Sequence, residues 1–597
     1  MVHNLYIHIL SCRGSLMQRY PIMPVPPHHT LRIAGILAIL YLISFFFIPT
    51  AADDQAFGPV KFHILAVNDF HGQLGPGQKM NGSPAGSIPV LAGYLSDAID
   101  TYGTNTTIIA LPGDMTGASP AESNLLLDEP AILFMNRFVT GDWKKPDTTE
   151  TTGVRVIGTL GNHEFDRNLS ELQRLINGGN DGTNITHLVD PYPGALWPVI
   201  AANIFWNGTD NLFLEPYVIE DIEGVPVAFI GAVTELTGEI SEPGNVEQVA
   251  FTDEADAINA QVKVLQEQGI HAFVVLLHEG GSQTPYDGPT QETGDLSGRV
   301  TSIVMRLDED VDVVLSAHSH QFTNQYVPNA GGKPTLVTQA YSYSSAYADV
   351  TLELDPEMKD IVNKTATIVT AYADQGAGFT PDENSQELLD AVNSTIAPLI
   401  SEVIATTDIP LTRNPDENGE SLLYDIATDA FRWDMKTNIS ILNIGYLRAD
   451  IDAGEITTGD AYSVMPFHDQ IYSVQMTGQQ IKDLLNQQWT RTVKPDHLLQ
   501  ISGFSYFYDE SRDPSDRVVN ITIDGEEMDM NAYYTVATID FLAHGGDGYT
   551  IMKEGTLVGY GALDVDEFIA YLTYIPSPIH EQTGGRINRV DSGIEQE

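Results

Sequence analysis

Cysteine is all but missing: Cys12 is the only one in 597 residues. A disulfide-built scaffold is excluded. Basic side chains are scarce too, with 29 Lys and Arg against 81 Asp and Glu, a net charge of -52 and a pI near 4.3. That balance removes the basic face that nucleic-acid binding needs and suits a strongly solvated surface. An anionic substrate must then be met by a local cluster of arginine or metal. Short-period repeats and low-complexity tracts are also missing. The length itself exceeds one core, and two to four domains are expected.

One long apolar run is present, at residues 33–48, preceded by Arg32 and followed by Pro49-Thr50-Ala51-Ala52. It is short for a spanning helix, and the small residues Thr50 and Ala52 suit a signal-peptidase site. Residues 1–52 are therefore expected to be a cleaved leader, with a mature start near Asp53. The membrane is a partner only if this segment stays uncleaved. Translation from Met23 would leave a leader of ordinary length and make residues 1–22 a mis-called start. Cys12 falls within the leader, and an exported chain without cysteine points to a prokaryotic, extracytoplasmic protein. The polar residues 591–597 show neither a second membrane segment nor a lipid-anchor tail.

From Val60 the pattern repeats: β-run, loop, helix. Apolar runs at 61–68, 106–111, 154–157, 225–233, 272–277 and 311–315 alternate with helical stretches such as 252–268, which predicts an α/β fold. In such sheets functional residues gather beyond the carboxyl ends of strands. Residues 351–371 continue as strand, and 384–404 form an amphipathic helix with Leu388, Leu389, Val392, Ile396, Leu399 and Ile400 at helical spacing. That helix reads as a linker to a second α/β region.

Five of the loops carry chemistry. They are Asn68-Asp69-Phe70-His71-Gly72, Gly113-Asp114, Gly161-Asn162-His163-Glu164-Phe165-Asp166, His278 and His318-Ser319-His320. At a strand terminus, D-x-H and H-x-H put alternate side chains on one side. Carboxylate, imidazole and amide oxygen together suit a borderline divalent ion. Seven candidate ligands exceed one ordinary site, and two ions sharing Asp114 would satisfy them. Asp166 lies one helical turn after His163 and can hold its imidazole in one tautomer.

This set resembles the calcineurin-like metallophosphoesterases over roughly residues 60–345, and its wording resembles their 5′-nucleotidase branch. The resemblance implies Asp69, His71, Asp114 and His320 on one metal, and Asp114, Asn162, His278 and His318 on a second. His163 and Asp166 then form the catalytic dyad. The metals are zinc, manganese, cobalt or iron. Ala317 stands where the family usually has glycine, and a positive φ there would cost about 1 kcal/mol. Downstream, Arg413, Asn443-Ile444-Gly445-Tyr446-Leu447-Arg448, Met465-Pro466-Phe467 and Phe541-Leu542-Ala543-His544-Gly545-Gly546-Asp547-Gly548-Tyr549 resemble the family's C-terminal domain. By that resemblance Arg413 and Arg448 hold phosphate with Asn443 nearby, Phe467 and Phe541 sandwich the base, and Asp547 takes the ribose hydroxyls. Ile444 and Tyr446, where glycines are usual, would narrow the phosphate side.

The implied fold is an N-terminal metallophosphoesterase β-sandwich flanked by helices (αββα) at 58–375, a linker with a helix at 376–408, and a smaller α/β substrate-binding domain at 409–590. The implied function is a secreted, metal-dependent 5′-nucleotidase acting on small-molecule nucleotides and not on nucleic acid. Alternatives within the family are a nucleotide-sugar or dinucleotide pyrophosphatase and a 2′,3′-cyclic-nucleotide phosphodiesterase. An alternative of another class is a non-catalytic surface nucleotide-binding protein.

Overall fold

The computed structural model describes residues 58–145, 153–180, 182, 186–467, 469–491, 498–580 and 582–590. The leader, Cys12 and the polar tail lie outside them. Two six-stranded sheets form the first domain. One has the order Asp360–Thr370, Ala346–Asp355, Val60–Ala66, Thr107–Leu111, Arg155–Thr159, Val199–Ile200. The other has the order Phe322–Pro328, Pro334–Ala340, Val311–Ser316, Ala272–His278, Val225–Val233, Tyr217–Ile222. The central strands of each are parallel.

Alternation along the strands explains the layers. Phe62, Ile64, Ala66, Ile108 and Ile157 face inward and meet Phe229, Val274, Leu276 and Val313 of the opposite sheet. The intervening Leu65 and Ile109 face outward, onto helices Ile88–Tyr102 and Glu129–Thr140. Ile230, Phe273 and Val275 face the other way, onto Glu254–Gln266 and Arg299–Val304. This is the expected αββα sandwich.

Two elements differ from the sequence expectation. Residues 351–371 belong to a hairpin, Ala346–Asp355 paired with Asp360–Thr370. The Asp355 carboxylate makes the reversal by accepting from the amides of Glu357 and Met358. The helix read as a linker runs Glu383–Ile400 and is built into the first domain. It buries Leu388, Leu389, Val392 and Ile396 in that domain's outer core. Arg137 pairs with Asp382 at its N-cap at 2.6 Å. The chain leaves the first domain after Ile400, where Val403–Thr407 pairs with Gly454–Thr457.

The smaller domain is built on a five-stranded sheet, ordered Gln500–Ser502, Ile439–Leu442, Tyr533–Ile539, Gln470–Thr477, Thr556–Leu563, with helices Leu422–Met435, Gly478–Gln487 and Asp564–Tyr574. Among the described residues no helix is long and apolar enough to cross a membrane.

Candidate metal centre and interdomain cavity

The five predicted loops converge at one edge of the sandwich, each just past the carboxyl end of a parallel strand or, for His278, on its last residue. Ligand atoms of Asp69, His71, Asp114 and His320 lie within 4.8 Å of one another, and so do those of Asp114, His278 and His318. Asp114 belongs to both groups. Asn162 joins the second, its Oδ1 3.3 Å from His278 Nε2. His71 Nε2 sits 3.0 Å from His320 Nε2 and 3.5 Å from Asp114 Oδ2, while His278 Nε2 is 3.1 Å from Asp114 Oδ2.

Strand alternation does not produce this convergence. Asp69, His71, Asp114, His318 and His320 all have left-handed backbones, with φ of 48°, 49°, 52°, 73° and 57°. Each such residue costs about 1–3 kcal/mol, so long-range contacts must hold them. The amide of His71 donates to Asp114 O, and that of Tyr343 to Asp69 O. The His318 amide donates to the Asp69 carboxylate at 2.8 Å, and Asn68 Nδ2 donates to the same carboxylate at 2.6 Å. Ala317 is not among the positive-φ residues, so the expected penalty for losing a glycine there does not arise.

The imidazoles are oriented from behind. His71 Nδ1 donates to Gly117 O at 2.9 Å and His278 Nδ1 to Pro112 O at 3.0 Å, which turns Nε2 of both toward the site. Burial holds His71 down to about 3 and His318 to about 4, leaving neutral imidazoles ready to ligate. Burial opposes charge on Asp114 as well, but His278 and His163 hold its carboxyl well below the usual range. A buried carboxylate shared by two groups of nitrogen and oxygen donors fits divalent cations.

Glu164 carries no ligand signal in the sequence, yet it is the organiser of the site. Its carboxylate accepts from the amides of Asp114 at 3.0 Å, Met115 at 2.7 Å, Thr116 at 3.0 Å and Gly161 at 2.5 Å. It thereby ties the Asp114 loop to the Asn162 loop. Gly161 lets them approach, since a Cβ there would lie 2.2 Å from Asp114 Oδ1. Glu164→Gln turns one acceptor into an amide facing N–H groups. Metal affinity, measured by competition with a chelating dye, should fall about ten- to a hundredfold; unchanged affinity would refute the organising role.

His163 Nδ1 lies 2.9 Å from both Asp166 oxygens and must donate to them. Ala118 N donates to Asp166 Oδ2 at 2.7 Å and fixes the carboxylate. Nε2 of His163 is left for the cavity of about 620 Å³ that opens between the metal-ligand loops and the second domain, a size suited to a small ligand.

Asn443, Arg448, Phe467, Phe541 and Asp547 all line that cavity. Asn443 Nδ2 donates to Asp547 Oδ2 at 2.7 Å. Arg448 lies close enough to help depress the basicity of His71 and His320. Arg413 does not line the cavity. Its Nε donates to Asp450 at 2.9 Å and its Nη1 to Arg448 O at 2.7 Å, so it braces the Arg448 turn instead of facing phosphate. The glycine this turn requires is Gly445, at φ 103°. Ile444 packs on the domain core, and Tyr446 stacks on Phe467 and lines the cavity beside it.

Residues 62–322 match the family model described as calcineurin-like phosphoesterase, and residues 403–554 match the 5′-nucleotidase C-terminal domain. The chain is 32% identical to the cell wall protein Lmo0130 of Listeria monocytogenes, over 86% of this chain and 67% of that one. It is 31% identical to the endonuclease YhcR of Bacillus subtilis, over 89% of this chain but only 41% of the relative. Among solved structures, a 5′-nucleotidase precursor from Thermus thermophilus superposes with a TM-score of 0.70 at 26% identity, covering 89% of this chain and all of that one.

Proposed function

The chain belongs to the 5′-nucleotidase family of calcineurin-like metallophosphoesterases and is a hydrolase of that family, and from that premise we propose that it cleaves nucleoside 5′-phosphates to nucleoside and phosphate. One observation carries the reading: the metal-ligand set and a group of residues suited to a nucleotide face the same cavity from two domains. We further propose two ions, one on Asp69, His71, Asp114 and His320, the other on Asp114, Asn162, His278 and His318. Such ions supply Lewis acidity to phosphoryl oxygens and lower the pKa of an attacking water.

The residues divide the remaining work. Arg448 offers forked donors to the phosphate from the side of His71 and His320. Phe467 and Phe541 present aromatic faces to the base. Asp547, tethered by Asn443, accepts from the ribose hydroxyls. His163, held by Asp166 through Nδ1–H, acts as the imidazolium, protonated on both nitrogens: its Nε2 proton passes to the departing ester oxygen and leaves the neutral ring still paired with Asp166. Arg413 holds the Arg448 turn in place. The first domain runs from residue 58 through the helix ending at Ile400 and the second begins at Val403, and closure of one on the other brings the nucleotide to the candidate metal-ligand loops.

A small nucleotide is favoured over a polynucleotide, because a net charge of -52 repels a long polyanion. The apolar run at 33–48 and the similarity to a cell wall protein favour an extracytoplasmic site of action. Phosphate release from AMP, ATP, UDP-glucose, 2′,3′-cyclic AMP and an aryl phosphate tests the class. AMP should have the highest kcat/KM; a preference for the cyclic or sugar nucleotide would replace this reading with the corresponding relative.

Base recognition should be separable from chemistry. Phe541→Ala should lower kcat/KM for AMP roughly tenfold to a hundredfold, the worth of one stacking face, and leave an aryl phosphate nearly unaffected. Equal losses on both substrates would make the ring ordinary core.

A further inference from the structure

Three near-parallel rings run from the catalytic dyad into the second domain. Phe467 lies 6.1 Å from His163 at an interplanar angle of 22°, and 5.5 Å from Tyr446 at 27°. Tyr446 is 4% exposed, and its hydroxyl donates to Oδ2 of Asp564, which is fully buried. Asp564 opens the helix Asp564–Tyr574, where the amide dipoles stabilise a carboxylate. This buried carboxyl receives the Tyr446 hydroxyl and the Val565 amide.

Tyr446 is thus fixed at both ends, by the tight turn at Gly445 and by its hydroxyl. Phe467 is not so fixed on its own. It is half-buried, on an irregular segment after Pro466. A ring ordered before the ligand arrives spares the ligand the cost of ordering it.

We propose that Tyr446, anchored on Asp564, is a positioning residue that sets the plane of the Phe467 ring and so pre-forms the slot for the nucleobase. The inference rests on the nucleotide reading above. It gives a specific use to a position where the family usually has a small residue.

The test uses the full chain carrying Tyr446→Ala, Tyr446→Leu or Tyr446→Phe. Substrates are AMP and an aryl phosphate; inhibitors are adenosine and inorganic phosphate. In the alanine and leucine variants KM for AMP and the inhibition constant of adenosine should rise about three- to tenfold, the worth of a lost aromatic pair. The kcat for AMP, the aryl phosphate reaction and inhibition by phosphate should stay as in wild type. Tyr446→Phe, which keeps the ring but loses the Asp564 anchor, should give an AMP affinity between the leucine variant and wild type. Should the alanine chain fail to fold, the leucine chain keeps the volume without an aromatic face and carries the test. Equal losses on AMP and aryl phosphate, or an unchanged KM for AMP in both variants, would overturn the proposal. If wild type cleaves the aryl phosphate but neither cleaves AMP nor responds to adenosine, the nucleotide reading itself fails. Wild type selective for AMP with insensitive variants refutes the positioning role alone.

Discussion

Asp114→Asn should abolish turnover. Asp114 is the one carboxylate common to both candidate ligand groups, so on the two-ion proposal its loss weakens both at once. The variant amide is neutral and offers one oxygen instead of two. It also disturbs Oδ1, which receives the His163 amide at 2.9 Å, and so loosens the dyad. Losing about 4 kcal/mol of charge stabilisation corresponds to a fall of about a thousandfold in kcat/KM. A chelator should cause a loss of the same order in wild type. Adding back a divalent transition metal should restore wild type and not the variant. Activity within tenfold of wild type in folded Asp114→Asn protein, judged by circular dichroism, would remove Asp114 from the centre of the account.

His163→Ala should produce the next largest loss, about a hundred- to ten-thousandfold for AMP, the usual contribution of a positioned acid. An aryl phosphate should lose less, because its leaving group needs less protonation. This substitution also removes a ring on which Phe467 rests, so part of the loss enters through binding. Asp166→Asn separates the two effects. It keeps the imidazole and the stack but removes the negative charge that stabilises the doubly protonated ring needed to donate from Nε2. The expected result is a lowered kcat for AMP with KM close to wild type. A rise in KM alone would mean that the dyad orients substrate and moves no proton.

The candidate ligands are legible in the sequence because each sits directly after a β-run, and turn residues such as Gly113 and Gly161 mark the places. How they converge is not legible. The left-handed backbones of Asp69, His71 and His318 depend on hydrogen bonds between loops far apart in sequence, such as His318 to Asp69. Glu164 is hidden because its partners are backbone amides, which carry no side-chain signal. Arg413 resembles a phosphate ligand by position, but Asp450, 37 residues away, captures it. The amphipathic pattern of Glu383–Ile400 is plain; which domain receives its apolar face is decided by packing against the first domain's helices. The anchoring of Tyr446 is hidden because its partner, Asp564, lies 118 residues on.

The central claim is a pair of cations held on one shared carboxylate, and a count of bound metal tests it most directly. Purified chain, loaded with one divalent transition metal and freed of excess, is analysed for metal by mass spectrometry against protein concentration. The account predicts about two equivalents in wild type and fewer than one in Asp114→Asn, since both ligand groups contain that residue. One equivalent in wild type, or two retained in Asp114→Asn, would contradict it.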